Sequence, residues 1–158
     1  MPHRLNQVEE TTAWYENGLS FECTGCGQCC TGEPGYIWIS DKELEAIATY
    51  LKIPIEDFKK QYTYMVDGRR SLLEDSKSYD CIFLEGKRCS IYSVRPTQCR
   101  TFPWWPQILQ SEQSWKETAK RCEGINLSAP VVSKNRIEKE LGIQQEYLKT
   151  SKEKPCLH

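Results

Sequence analysis

Apolar positions fall into short runs with a different period in each part of the chain. Residues 1–20 are polar apart from Trp14 and Tyr15 and read as an N-terminal arm. Residues 21–35 are punctuated by Gly25, Gly27, Gly32, Pro34 and Gly35, which marks a loop. Tyr36-Ile37-Trp38-Ile39 is a strand candidate. Ser40 and Glu43 then form a capping-box pair ahead of Leu44, Ile47, Ala48 and Leu51, spaced for one helix face. A second helix is expected from Pro54, with Ile55, Phe58, Tyr62 and Met65 as its buried stripe. Residues 67–80 are polar and turn-like. Residues 81–92 read as a hairpin with a four-residue loop, 85–88. Arg95-Pro96 enters a short helical turn holding Cys99, stopped by Pro103 and Pro106. Helices are expected over 111–122 and 133–150, the latter with Ile137, Leu141 and Leu148 inward. The sum is a small, loop-rich α+β domain over 21–150 with a short hairpin and four to five helices, followed by a flexible tail, 151–158.

Composition makes this core look thin. Ile, Leu, Val and Phe supply 32 of 158 residues, near the limit below which chains stop folding unaided. Something besides apolar burial is expected to hold the domain together. The formal charge of -1, from 21 Lys+Arg and 22 Asp+Glu, argues against a nucleic-acid binder that relies on a basic field. No signal-peptide core and no run long enough to span a bilayer is present, so the expected location is cytoplasmic, away from membranes. There, thiols stay reduced and serve metal or redox chemistry rather than disulfides.

Nine cysteines then carry the chemistry. Cys23-x-x-Cys26-x-x-Cys29-Cys30 places four thiols in one short segment. A C-x-x-C turn brings two sulfurs to one metal ion, and the glycines between permit the turn. In extended backbone Cys29 and Cys30 point apart and would serve different ions. Cys81, Cys89, Cys99 and Cys122 supply four more, enough for two four-cysteine sites. If Leu84 pairs with Cys89 in a regular hairpin, Cys81 and Cys89 lie on opposite faces. Cys156 reads as a tail thiol, and His3 and His158 as terminal side chains outside the site. Zinc is the first choice of metal. Iron or a [4Fe–4S] cluster is the alternative, since Cys23, Cys26 and Cys29 match the opening of a ferredoxin-type ligand run that lacks its closing Cys-Pro.

The combination resembles the YkgJ-type cysteine-cluster family. It is carried by Cys23-x-x-Cys26-Gly27-x-Cys29-Cys30, Cys81-x-Phe83-Leu84, Cys89-Ser90-Ile91-Tyr92 and Arg95-Pro96-x-x-Cys99-Arg100-x-Phe102-Pro103. Cys122-Glu123-Gly124 is similar to the family's late Cys-Pro-Gly element, with Glu123 in place of proline. The resemblance implies a zinc- or iron-chelating domain. It also implies, through relatives of flagellin lysine N-methylase, an alternative redox or catalytic role linked to protein methylation.

A dense thiolate site needs nearby cations. Arg95, Arg100 and Arg121 are candidates, while Lys87 and Arg88 read as a solvated hairpin tip. Phe102-Pro103-Trp104-Trp105-Pro106 reads as a hydrophobic lid; an exposed Trp104 or Trp105 would instead mark a protein-docking surface. No metal-independent catalytic set is found, and whether the protein is an enzyme is left open.

Overall fold

The computed structural model describes residues 12–31 and 35–152. Cys156, His3, His158 and the expected tail from 153 lie outside them. Helix α1 (Asp41–Leu51) begins on the expected capping box: Ser40 Oγ accepts from Glu43 N, and Glu43 Oε2 from Ser40 N. Its Leu44, Ile47 and Ala48 are buried. Helix α2 (Ile55–Tyr62) follows Pro54.

Helix α2 is shorter than its apolar stripe predicts. After Tyr62 the chain turns into strand β2 (Thr63–Val66), which pairs antiparallel with β3 (Arg69–Leu72) from Thr63↔Leu72 to Val66↔Arg69. Asp67 and Gly68, at φ 48 and 78, make the turn. Asp-Gly is the strongest short hairpin signal, and Thr63, Tyr64 and Val66 favour a strand over another helical turn. Met65, expected inward, is therefore exposed. The expected strand at 36–39 lies along β3, where Ile39 N donates to Arg70 O and Leu72 N to Ile37 O.

Further along come β4 (Leu84–Glu85) and β5 (Arg88–Cys89), then helices α3 (Thr97–Thr101), α4 (Pro106–Leu109) and α5 (Glu112–Ala119). Pro106 was expected as a stop; it instead occupies the first position of α4, where no amide hydrogen is needed. Helix α5 ends three residues before Cys122, leaving that thiol on a turn. Strand β6 (Val131–Val132) pairs antiparallel with β1 (Leu19–Ser20), and α6 (Lys134–Lys152) closes the fold. The architecture is a mixed α+β domain of helices and short antiparallel strand pairs.

Its apolar residues divide into two clusters. One gathers Ile39, Leu44, Ile47, Phe58, Leu72, Cys81, Phe83 and Ile91. The other gathers Trp104, Ile108, Leu109, Trp115, Cys122, Ile125 and Ile137, with Trp14, Tyr15 and Leu19 against it. Trp14 is anchored by its indole N–H donating to Leu109 O at 2.7 Å.

A polar knot on Glu43 ties α1 to α3 and α6. Glu43 Oε1 accepts from the amide and the hydroxyl of Thr97, both at 2.6 Å, and the Tyr147 hydroxyl lies 2.8 Å from Oε2. Burial opposes ionisation of Glu43, but the bonds from Ser40, Thr97 and Tyr147 outweigh it and hold the carboxyl below its ordinary 4.5. A depressed carboxyl contributes stability above its unfolded pKa and loses it as pH falls through the folded one. Glu43→Gln should therefore cost about 1–3 kcal/mol at neutral pH. It should also reduce the loss of stability on acidification below pH 4.5, followed by urea unfolding of both proteins across that range. Parallel pH profiles for the two proteins would contradict this role.

Candidate metal centre

Four separate chain segments deliver the eight thiols. The first passes Gly25 and Gly27, both at positive φ (70 and 75), into a 3-10 turn at Gln28–Cys30. Cys29 and Cys30 are thus helical rather than extended, and their thiols are hydrogen-bonded to each other instead of pointing apart. Cys30 lies against the first apolar cluster, and Cys29 is exposed. Gly27 could not be another residue without displacement, since a Cβ there would sit 2.5 Å from Lys87 O.

The hairpin has the register expected, Leu84↔Cys89, but closes through Glu85↔Arg88 and a two-residue turn rather than four. Its ladder does not extend to Cys81, which is instead bridged to Glu74. The alternation argument therefore does not separate Cys81 from Cys89. Cys81 N donates to Cys30 O at 2.8 Å, binding the second segment to the first. Cys99 sits in α3. Cys122 follows α5, with its amide donating to Thr118 O.

Three sulfurs accept hydrogen bonds from amides further along the chain: Cys81 from Phe83, Cys89 from Ile91, and Cys122 from Gly124 and Ile125. In each case the donor lies two or three residues on, where a tight turn aims its N–H back at the sulfur. Such donors are of most use to a thiolate, whose charge they offset.

All eight thiols line one cavity of about 490 Å³. Leu72 and Ile91 of the first cluster and Trp104 of the second, with Phe21 and Phe102 packed against it, also line the cavity, which therefore lies where the clusters meet. Among the described residues, no three Cys, His, Asp or Glu side chains form a finished coordination sphere. The thiols share a chamber rather than a preassembled polyhedron.

Burial pushes the Cys81 thiol up to about 11, and it raises Cys89, Cys99 and Cys122 as well. Cys30 donates to Cys29, which brings Cys29 down to about 7 and pushes Cys30 upward. Buried thiols of this kind stay protonated on their own. A bound cation reverses that preference, because coordination deprotonates a thiol outright. The donor set is soft, sulfur-rich and supplied with amide donors, and so fits zinc or iron.

Arg95 and Arg100 line the chamber, together with Arg136 of α6. Arg95 is pinned over the Tyr92 ring at 3.7 Å while its Nε donates to Tyr92 O, and its charge favours the thiolates of Cys29, Cys89 and Cys99. Arg136 escapes sequence reading because it is distant from every cysteine in the chain; its only signal is a helix position one residue before the buried Ile137. Lys87 and Arg88 do not line the chamber.

The lid is a buried one. Trp104 is 5% exposed, stacks on Trp115 and meets Phe21 edge to face. Trp105 is half-buried and donates its indole N–H to Gln98 O. Exposure was the condition for a docking surface through Trp104 and Trp105. Trp104 does not meet it, because it fills the second cluster, whereas Trp105 packs against that cluster and stays partly exposed.

Sequence comparison agrees with this centre. A family profile described as "Putative zinc- or iron-chelating domain" matches residues 22–123 and so includes all eight thiols. "Uncharacterized protein MJ0661" of Methanocaldococcus jannaschii is 38% identical over 96 residues, which is 60% of this chain. The matched region is 50% of that relative's length, so the chain spans about half of it. No solved structure matches. Because the profile covers well over half of the chain and every one of the chamber's cysteines, the protein belongs to the CxxCxxCC family.

Proposed function

We propose that this is a metal-binding protein in which Cys23, Cys26, Cys29, Cys30, Cys81, Cys89, Cys99 and Cys122 ligate two metal ions, zinc by preference, that organise the fold. The observation that carries this reading is the single chamber onto which all eight thiols open, at the meeting of two small apolar clusters. Structural zinc in small peptides is worth about 10–16 kcal/mol, as much as the whole stability of a domain, about 5–15 kcal/mol. Two such ions would supply what a thin core lacks.

Residues 21–150 form the metal-binding unit on this reading, and a reducing compartment such as the cytoplasm suits its thiols. The residues divide the work. The cysteines bind, the amides of Phe83, Ile91, Gly124 and Ile125 orient three of the sulfurs, and the arginines offset charge. Phe102 and Trp104 keep water from one wall. Eight thiolates around two divalent ions retain a net charge of about −4, which Arg95 and Arg100 at the chamber offset in part, while Arg136 is paired with Glu140 at 3.4 Å.

Metal and inorganic sulfide per chain, measured on protein purified anaerobically from its own host, test the reading. Two zinc ions, no sulfide and no visible absorption are expected. Iron with sulfide and charge-transfer bands would replace zinc by an iron–sulfur centre, and a metal-free folded protein would overturn the reading entirely. The loop geometry gives a second test. Gly25 and Gly27 both have positive φ, but a Cβ at Gly25 meets nothing within 4 Å. Gly27→Ala should therefore lower the stability of metal-loaded protein by about 1–3 kcal/mol more than Gly25→Ala, read by thermal unfolding. Equal effects would show that the approach to Lys87 carries no weight.

A further inference from the structure

The CxxCxxCC segment is held differently at its two ends. At its start, Glu22 N donates to Gly124 O and Thr24 Oγ1 to Glu123 Oε1, fastening the Cys23–Cys26 turn to the loop after Cys122. At its end, Cys81 N donates to Cys30 O, and Gly27 lies against Lys87 and Leu84 of the β4–β5 hairpin. The segment thus straddles two anchor points, one beside Cys122 and one beside Cys81 and Cys89.

The apolar clusters divide the thiols in the same way. Cys81 belongs to the first cluster, with Cys30 and Cys89 against it, while Cys122 belongs to the second. Exposure follows suit: both exposed thiols, Cys23 and Cys29, fall outside the Cys30–Cys81–Cys89 group. Cys99 lies in α3, which Thr97 ties to Glu43 of α1, the helix whose Leu44 and Ile47 belong to the first cluster.

A second cavity, of about 480 Å³, adds an asymmetry. Of the eight thiols, only Cys29 and Cys122 line it, and both also line the first chamber. They form a partition between the two spaces. The second cavity's remaining wall is mixed, with Phe102, Trp105 and Ile108 beside Gln107 and the oppositely charged Glu117 and Arg121.

We propose that the eight thiols form two unequal metal sites. One, of Cys30, Cys81, Cys89 and Cys99, is closed. The other, of Cys23, Cys26, Cys29 and Cys122, is reached through the second cavity, where its metal exchanges with small donor molecules from solution. This division rests on the metal-binding reading above. Chemically, the closed site behaves as a structural centre with no free position, and the open one as a site whose ligand sphere solution donors can enter. Thiolates on a buried wall exchange slowly because no donor reaches the metal before a sulfur leaves.

The test is the release of metal from the loaded protein to pyridylazo-resorcinol, an anionic chromophoric chelator, under reducing conditions. Two phases of equal amplitude are expected. Cys26→Ser and Cys122→Ser should each lose the fast half of the metal and keep the slow half. Cys99→Ser should lose the slow half, or fail to fold. Gln107→Trp, which fills the second cavity from an exposed position, keeps the proposal testable either way: it should slow the fast phase and leave the total metal unchanged. Release in one phase, a fast phase indifferent to Gln107→Trp, or loss of all metal from Cys122→Ser in a folded protein would overturn the division alone. A protein that carries no metal would overturn the underlying reading and the division with it.

Discussion

Eight thiols have to open onto one chamber, and the rest of the structure is arranged around that requirement. A thiol in an apolar wall is cheap, but a thiolate there is costly unless a cation or hydrogen-bond donors accompany it. The chain meets this with amides returned onto Cys81, Cys89 and Cys122 and with Arg95 clamped by Tyr92 at the chamber. The chamber in turn sits between two apolar clusters, each built around a few large side chains such as Phe58 and Phe83 or Trp104 and Trp115. Neither cluster is large for a domain of this size. A cross-link at their junction therefore does more for stability than the same cross-link within either.

The junction is not held by sulfur chemistry alone. Glu43 gathers Ser40, Thr97 and Tyr147 around one carboxylate and so fastens the first helix to the helix carrying Cys99 and to the last helix. The Thr101 hydroxyl donates to Gln144 Oε1, adding a second buried link between the same two helices. These bonds set where α3 lies and hence where Cys99 meets the chamber. Structural polar contacts and the candidate metal centre are thus consecutive parts of one scaffold, and a change in the first is felt in the second.

Local signals made much of this legible from the chain. The Ser40–Glu43 box, the Pro54 helix start and the Leu84↔Cys89 register all depend on residues a few positions apart, and all are present. The extra strand pair at Thr63–Leu72 was hidden because Met65 continued the helical stripe, although Asp67-Gly68 carried the turn signal. The chamber's sulfurs were legible as residue types and spacings. Their grouping was not, because it depends on contacts such as Glu22 with Gly124 and Cys30 with Cys81 that no spacing encodes. Arg136 was missed for the same reason. It reaches the chamber from α6, far from any cysteine in the chain.

The central claim is that a metal–thiolate junction holds two apolar clusters in one fold. Hydrogen exchange of the backbone, resolved by peptide and compared with and without a strong chelator under reducing conditions, tests it most directly. The account predicts that removing metal strips protection from residues 44–58 and 108–137 together, since each cluster leans on the junction. Protection that survives in both segments after the metal has gone would contradict it.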